Sequence, residues 1–332
     1  MVASVSRLAV PPHYRDAALF VLLAALFGGS FAAIKTGLAA LPPLFFAALR
    51  FDVAAVALLA YVAVTRDRET WLPHTRGDYL GIAVAAALLI AANNALLFLG
   101  QGSTTTAAAS VMYGLNPILA PLFAWWLLKQ RLAPLGALGI AVALGGVVII
   151  VQPSPESLAG GSALGQLLVL GAAAAVALGS VGLQWVEPRM DSVPLTTWAM
   201  AGGAVLLHLT SLGAGEAVPP LVSLAPAAVL SVLAVAIPST AIAYPIYFGL
   251  IGRVGPVRAN LVAYAVPVFA TLLGWLLLGE VLSPWTAVGF LVVVAGFALV
   301  ERAVIREEWL RLRRRFAASE ADRPTADPPC DD

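Results

Sequence analysis

The strongest constraint on this chain is a series of ten apolar stretches, each about as long as a bilayer is thick. A helix needs about 20 mostly apolar residues to cross a hydrocarbon core roughly 30 Å deep. Inside that core the backbone must satisfy its own hydrogen bonds, which leaves the helix as the element for each stretch. The stretches fall at 16–40, 43–65, 77–100, 103–128, 133–151, 163–186, 194–213, 224–250, 256–279 and 284–304. Connections such as Leu41-Pro42-Pro43 and Gly100-Gln101-Gly102-Ser103 are short enough to demand tight antiparallel hairpins. Composition agrees: 61% of the 332 residues are apolar and 11% charged, against roughly 45–50% and 25% in a soluble domain. A soluble globule of that make-up could not cover its surface with polar groups. The expected fold class is all-α integral membrane, with ten transmembrane helices. The first stretch follows Arg7 and Arg15 as a signal peptide would, but it is too long for one and leads straight into another span. It reads as a transmembrane helix.

Charge placement gives an independent test of this layout. Alternate loops gather Arg66, Arg68, Arg76, Lys129, Arg131, Arg189, Arg253 and Arg258 on the side of Arg7, Arg15 and the tail arginines from Arg302 onward. The opposite loops hold no Lys or Arg, only Glu156, Glu216 and Glu280. By the positive-inside rule, the chain is expected to have an even number of spans and both termini cytoplasmic, in the cell (cytoplasmic) membrane. Residues 1–15 then form a cytoplasmic N-terminal segment. Residues 305–332 form a basic cytoplasmic helix and tail. The helical part, reaching back to Glu301, sets Trp309, Leu310 and Phe316 among six arginines as an interfacial anchor. Residues 319–332 read as disordered. A net charge of +1 provides no field for nucleic acid.

The chain also repeats itself. A register of 150 residues, without a gap, places Pro117 on Pro267, Trp125 on Trp275, Pro134 on Pro284, Gly139 on Gly289 and Gly146 on Gly296. Over 117–150, twelve of thirty-four positions are identical. The same offset puts Gly29-Ser30 on Gly179-Ser180 and Phe98 on Phe248. Residues 16–151 and 163–304 are thus two halves of five spans each. Five is odd, so the second half enters the membrane from the opposite side. Inverted halves related by a pseudo-twofold axis are a signature of transporters that alternate access around a midplane site.

These residues resemble the drug/metabolite transporter (DMT) superfamily, and within it the EamA-type ten-helix permeases. The matching text is Phe27-Gly28-Gly29-Ser30-Phe31-Ala32-Ala33-Ile34-Lys35, Arg50, and Pro267 through Leu278-Gly279-Glu280 with Gly289 and Gly296. The first half keeps the same frame from Pro117 to Gly146, but has Lys129-Gln130-Arg131 where the second has Gly279-Glu280-Val281. The resemblance spans residues 16–304. It implies ten helices around a central cavity opened alternately to each side, and a metabolite exporter as the function.

Residues able to carry chemistry are few. There is no GxxxxGK[S/T] phosphate loop and no HExxH zinc site, and the single cysteine, Cys330, allows no internal disulfide or thiolate cluster. No cofactor is expected. His208, alone in the seventh span, reads as a packed or interfacial histidine. Three charges lie within spans: Lys35, Arg50 and Asp52. An ionisable group there costs on the order of 2.5–3.5 kcal/mol by insertion scales and usually faces the bundle interior. Two residues apart, Arg50 and Asp52 point to nearly opposite helix faces, so Lys35–Asp52 across the hairpin is the expected pair. Lys35 or Arg50 would meet an anionic group of a cargo; the competing role is a snorkelling Lys35 and an Arg50 that ties helices. Their repeat counterparts are Trp185 and Met200, so this charge is confined to the first half. Uncharged polar residues form a second set: Asn93, Asn94, Tyr113, Asn116, Gln184, Tyr244, Asn260 and Tyr264. Each either bonds a neighbouring helix or lines a polar cavity with aromatic walls.

The function expected is a secondary permease, an exporter, of a small metabolite, with amino-acid-like compounds among the candidates. Its partners would be the lipid bilayer, the metabolite and protons as a coupling ion, with Asp52 the candidate carrier. A non-transporting assembly or sensor subunit is the main rival, and an integral-membrane enzyme the weaker one, because no loop gathers His or carboxylate residues.

Overall fold

The computed structural model describes residues 12–131, 134–152, 161–220, 224–244, 246–247, 250, 262–300 and 302. Asn260 and nearly all of the expected basic tail helix lie outside the described residues. Ten long helices make up the bundle: α1 Pro12–Gly37, α2 Pro43–Thr65, α3 Arg76–Gln101, α4 Thr106–Leu127, α5 Pro134–Val151, α6 Ser162–Val186, α7 Ser192–Gly213, α8 Pro226–Ile242, α9 Val262–Leu278 and α10 Pro284–Val300. The first seven are long and apolar enough to cross a membrane, and the last three are shorter apolar helices. Among the described residues there is no strand. The chain is an all-helical, ten-helix membrane protein.

Local chemistry sets the helix ends. α2 begins with Pro43, whose missing N–H costs nothing at a helix start, after the extended Pro42. α3 opens on a capping box in which the Thr75 side chain accepts from Asp78 N and the Asp78 carboxylate accepts from Thr75 N. Asp78 also accepts from Arg189 N at 2.9 Å and Met190 N at 3.0 Å, which pins the α6–α7 connection to the start of α3. α1 ends at Gly37, three residues earlier than the apolar stretch suggests, and Leu38 to Ala40 turn toward Pro42-Pro43.

Two helices are not regular. α3 widens into a π-helix over Ala85–Ala92, and α8 does so over Ile237–Ile242. The 150-residue register superposes these segments, so both halves carry the same irregularity at the same place. α4 is broken at Gly114-Leu115, just before Asn116-Pro117. Its counterpart in α9 runs straight through.

Helix packing obeys the pseudo-twofold. α1 packs on α9 as α6 packs on α4; α1 packs on α8 as α6 packs on α3; α2 packs on α8 as α7 packs on α3. α2 with α7, and α5 with α10, pack across the axis itself. At the α5–α10 crossing a Cβ added to Gly146 would lie 2.8 Å from Gly289 O, and one added to Gly296 would lie 2.6 Å from Gly139 O. The four glycines aligned by the repeat are thus the contact that lets two backbones touch. The apolar core runs through the bundle, with Phe46 and Phe98 edge-to-face at 5.1 Å. Trp125 and Trp126 are exposed at one end of the helices, and Trp275 and Trp285 at the other, as interfacial belts require. For orientation, the end bearing Arg66, Arg76, Lys129 and Arg189 is called the basic face, and the end bearing Glu216 and Glu280 the acidic face.

Candidate functional site

A cavity of about 400 Å3 lies between the two halves. Its lining comes in repeat-related pairs: Ser30 with Ser180, Asn94 with Tyr244, Leu97 with Tyr247, Tyr113 with Ala263, and Asn116 with Val266. On α6 to α9 the lining residues, among them Leu183, Ser192, Tyr247 and Val262, sit toward the basic-face ends of their helices. The cavity therefore runs from the middle of the bundle to the basic face. Its lining residues nearest the acidic face are Ser110, four residues into α4, and Leu97, four residues from the end of α3, each about 6 Å deep at 1.5 Å per residue.

Arg50 is its centre of charge. The side chain is 6% exposed, and no carboxylate pairs with it among the described residues. Nε donates to Thr240 Oγ1 at 2.9 Å and Nη1 donates to Asn94 Oδ1 at 3.2 Å. These anchors come from the two π-helical segments. Asn94 comes just after the first, and its amide donates back to Ile90 O at 2.8 Å. Thr240 lies inside the second, where its hydroxyl donates to Val235 O five residues back at 3.1 Å. A π turn inserts a residue and re-aims the side chains beyond it; here it turns one acceptor from each half toward the same guanidinium. Asn93 donates to Leu89 O at 3.0 Å. Its Oδ1 is buried and makes no hydrogen bond among the described residues. The walls are aromatic: Phe27 meets Tyr244 and Tyr247 edge-on at 6.2 and 6.3 Å, and Phe31 meets Tyr113 at 6.0 Å.

The acidic face is closed by charged side chains that satisfy helix ends. Lys35, in the last turn of α1, donates to Thr104 O and, at 3.4 Å, to Gln101 O at the end of α3. Gln101, fully buried, donates to Phe31 O. Glu216 accepts from Leu44 N at 2.9 Å and Phe45 N at 2.8 Å in the first turn of α2, and Glu280 accepts from Thr106 N at 2.8 Å at the start of α4. Carboxylates at N-termini and an ammonium at a C-terminus match the helix dipoles.

The structure thus gathers Arg50, Asn93, Asn94, Tyr113, Asn116 and Tyr244 around one space and leaves the other candidates elsewhere. The expected Lys35–Asp52 pair does not form. Because α1 ends early, Lys35 stands at the acidic face and reaches backbone carbonyls instead. Asp52 pairs with His208 of α7, Oδ2 to Nε2 at 2.8 Å, on a half-exposed seam away from the cavity. Gln184 is exposed, and Tyr264 packs on Phe297 of α10 at 4.0 Å. Sequence reasoning missed Thr240, Tyr247 and the serines Ser30, Ser110 and Ser180. Ser30 and Ser180 were visible as a repeat-matched pair, and Thr240 stands at the register position of Ile90, just before the Asn93-Asn94 signal.

Comparison with known proteins agrees with this architecture. The model of the EamA-like transporter family matches residues 16–152 and again 163–302. The chain is 31% identical over 278 residues to the Escherichia coli K12 inner membrane transporter YedA, covering 83% of this chain and 87% of that one. It is 27% identical over 295 residues to the Bacillus subtilis transporter YvbV, covering 87% and 92%. A WAT1-related chloroplast protein of Arabidopsis thaliana is 28% identical over 289 residues, covering 84% and 68%. One crystal structure superposes with a TM-score of 0.59 at 22% identity, covering 85% of this chain and 96% of that one, a likeness of fold. With two inverted five-helix halves enclosing a shared cavity, each matched by the same family model, the chain belongs to the EamA-like transporter family of the DMT superfamily.

Proposed function

We propose that this membrane transporter is a secondary permease that exports a small polar or amphipathic metabolite by alternating access, with amino-acid-like compounds as the first candidates. The observation that carries the reading is the cavity itself: it is lined by both halves, holds a buried Arg50, reaches one face and is sealed at the other. The positive-inside rule assigns the basic face to the cytoplasm of the cell, so this conformation faces inward. Exchange of the repeat-related contacts then opens the acidic face and closes the basic one. Arg50, Asn93, Asn94, Tyr113, Asn116 and Tyr244 are the cargo-binding residues in this reading. Asp52, held by His208 outside the cavity, is the candidate carrier of a coupled proton.

The test is exchange of radiolabelled amino acids and metabolites by purified protein in liposomes. Wild type should exchange at least one compound of the panel. Arg50→Gln should lower that exchange by about tenfold or more, equivalent to about 1.4 kcal/mol, while expression and melting behaviour stay normal. No exchange of any compound by folded protein would favour a non-transporting subunit.

A further inference from the structure

We infer that the cavity selects a singly charged anion with a compact apolar body, a monocarboxylate, over cations and polyanions. The inference rests on reading this cavity as the cargo site. Charge comes first. Arg50 is the one charged side chain among the described residues that line the cavity. No carboxylate among the described lining residues offsets the guanidinium. A cation entering here gives up hydration without finding a carboxylate, whereas an anion gains charge-assisted hydrogen bonds from Arg50.

The geometry of Arg50 limits the charge to one. Thr240 takes the N–H of Nε and Asn94 takes one N–H of Nη1, which leaves the second N–H of Nη1 and both of Nη2. Among the described residues Nη2 makes no hydrogen bond to protein. Such a guanidinium offers a single fork, the match for one carboxylate, and is held in place by both halves. A second anionic group on the same cargo would lie against Phe27, Phe31 and Tyr113, with no other cation among the described lining residues to meet it.

The same rings define the rest of the cargo. Phe27 stands edge-on to Tyr244 and Phe31 to Tyr113, at the centroid separations aromatic pairs prefer. Together with Val176, Leu195 and Val266 they form a mainly apolar wall. A volume of about 400 Å3 falls in the range of pockets that enclose small ligands.

Four probes with one phenyl ring separate these terms: phenylacetate, 2-phenylethanol, phenethylamine and phenylmalonate. Their effect on the melting temperature of the intact protein in nanodiscs, and on exchange in liposomes, should rank phenylacetate first. It should bind at least tenfold tighter than 2-phenylethanol, with phenethylamine and phenylmalonate weaker than phenylacetate. Arg50→Gln should bring phenylacetate and 2-phenylethanol to equal affinity, and Arg50→Lys should restore part of the difference. Phenethylamine or phenylmalonate binding as tightly as phenylacetate overturns the inference, as does a phenylacetate that neither stabilises nor exchanges. Preferential exchange of amines would sink the charge assignment and leave the permease standing. Failure of every compound in the wider metabolite panel would sink the permease reading itself.

Discussion

Arg50 and Asp52 are two residues apart and have opposite fates. Arg50 points inward, where Asn94 and Thr240 fix it beside the cavity. Asp52 points to the α2–α7 seam, where His208 bonds it while both side chains stay partly exposed, at 43% and 36%. The opposed faces result from helical geometry and were legible from the sequence alone. The partner of Asp52 was not, because His208 is 156 residues away and only the packing of α2 on α7 brings the two together. If Asp52 carries a coupled proton, exchange by wild type should respond to an imposed pH gradient and Asp52→Asn should lose that response at normal expression. An unchanged response in Asp52→Asn rejects the assignment. Lys35 teaches a related lesson: its depth in the apolar stretch suggested a buried charge, but the helix stops at Gly37 and the ammonium ends among backbone carbonyls.

Among the elements, the paired π-helical segments are what the cavity depends on. Each places polar groups where a regular helix would aim them elsewhere, and each sits at the same register position of its half. Pro238 hints at the second, since proline removes an internal hydrogen bond. Nothing in Ala85–Ala92 announces the first. The α5–α10 crossing is the opposite case, since the 150-residue repeat itself marks its glycines. Gly146 has no room for a side chain, while Gly145 has nothing within 4 Å of an added Cβ. Gly146→Val should therefore destabilise by about 1–3 kcal/mol, as overpacking does, read as a lower melting temperature in detergent. Gly145→Ala should leave the melting temperature unchanged or slightly raised, because alanine favours helix. Equal effects of the two changes would show that the crossing does not depend on backbone contact.

At the scale of the whole molecule, the acidic face is closed by Lys35, Glu216 and Glu280 acting on helix ends. In the alternating-access proposal, these are ties that the state open to the acidic face must release. Lys35→Met should shift the population toward that state. A single cysteine at Ser110, in a Cys330→Ser background, should then react faster with a membrane-impermeant maleimide added on the acidic-face side. Equal rates with and without the Lys35 change would remove it from the closure. Ten spans, their alternation, the duplication and the inverted entry of the second half were all legible in the sequence. Each derives from length, apolarity, charge sign and an odd span number, which are properties of the chain taken in order. The tertiary structure alone decided which polar residues share a space. Thr240 joins Asn94 at Arg50, Asp52 joins His208, and Gln184 is turned outward. Those outcomes depend on where each helix ends, on one inserted residue per π turn, and on which distant helices touch.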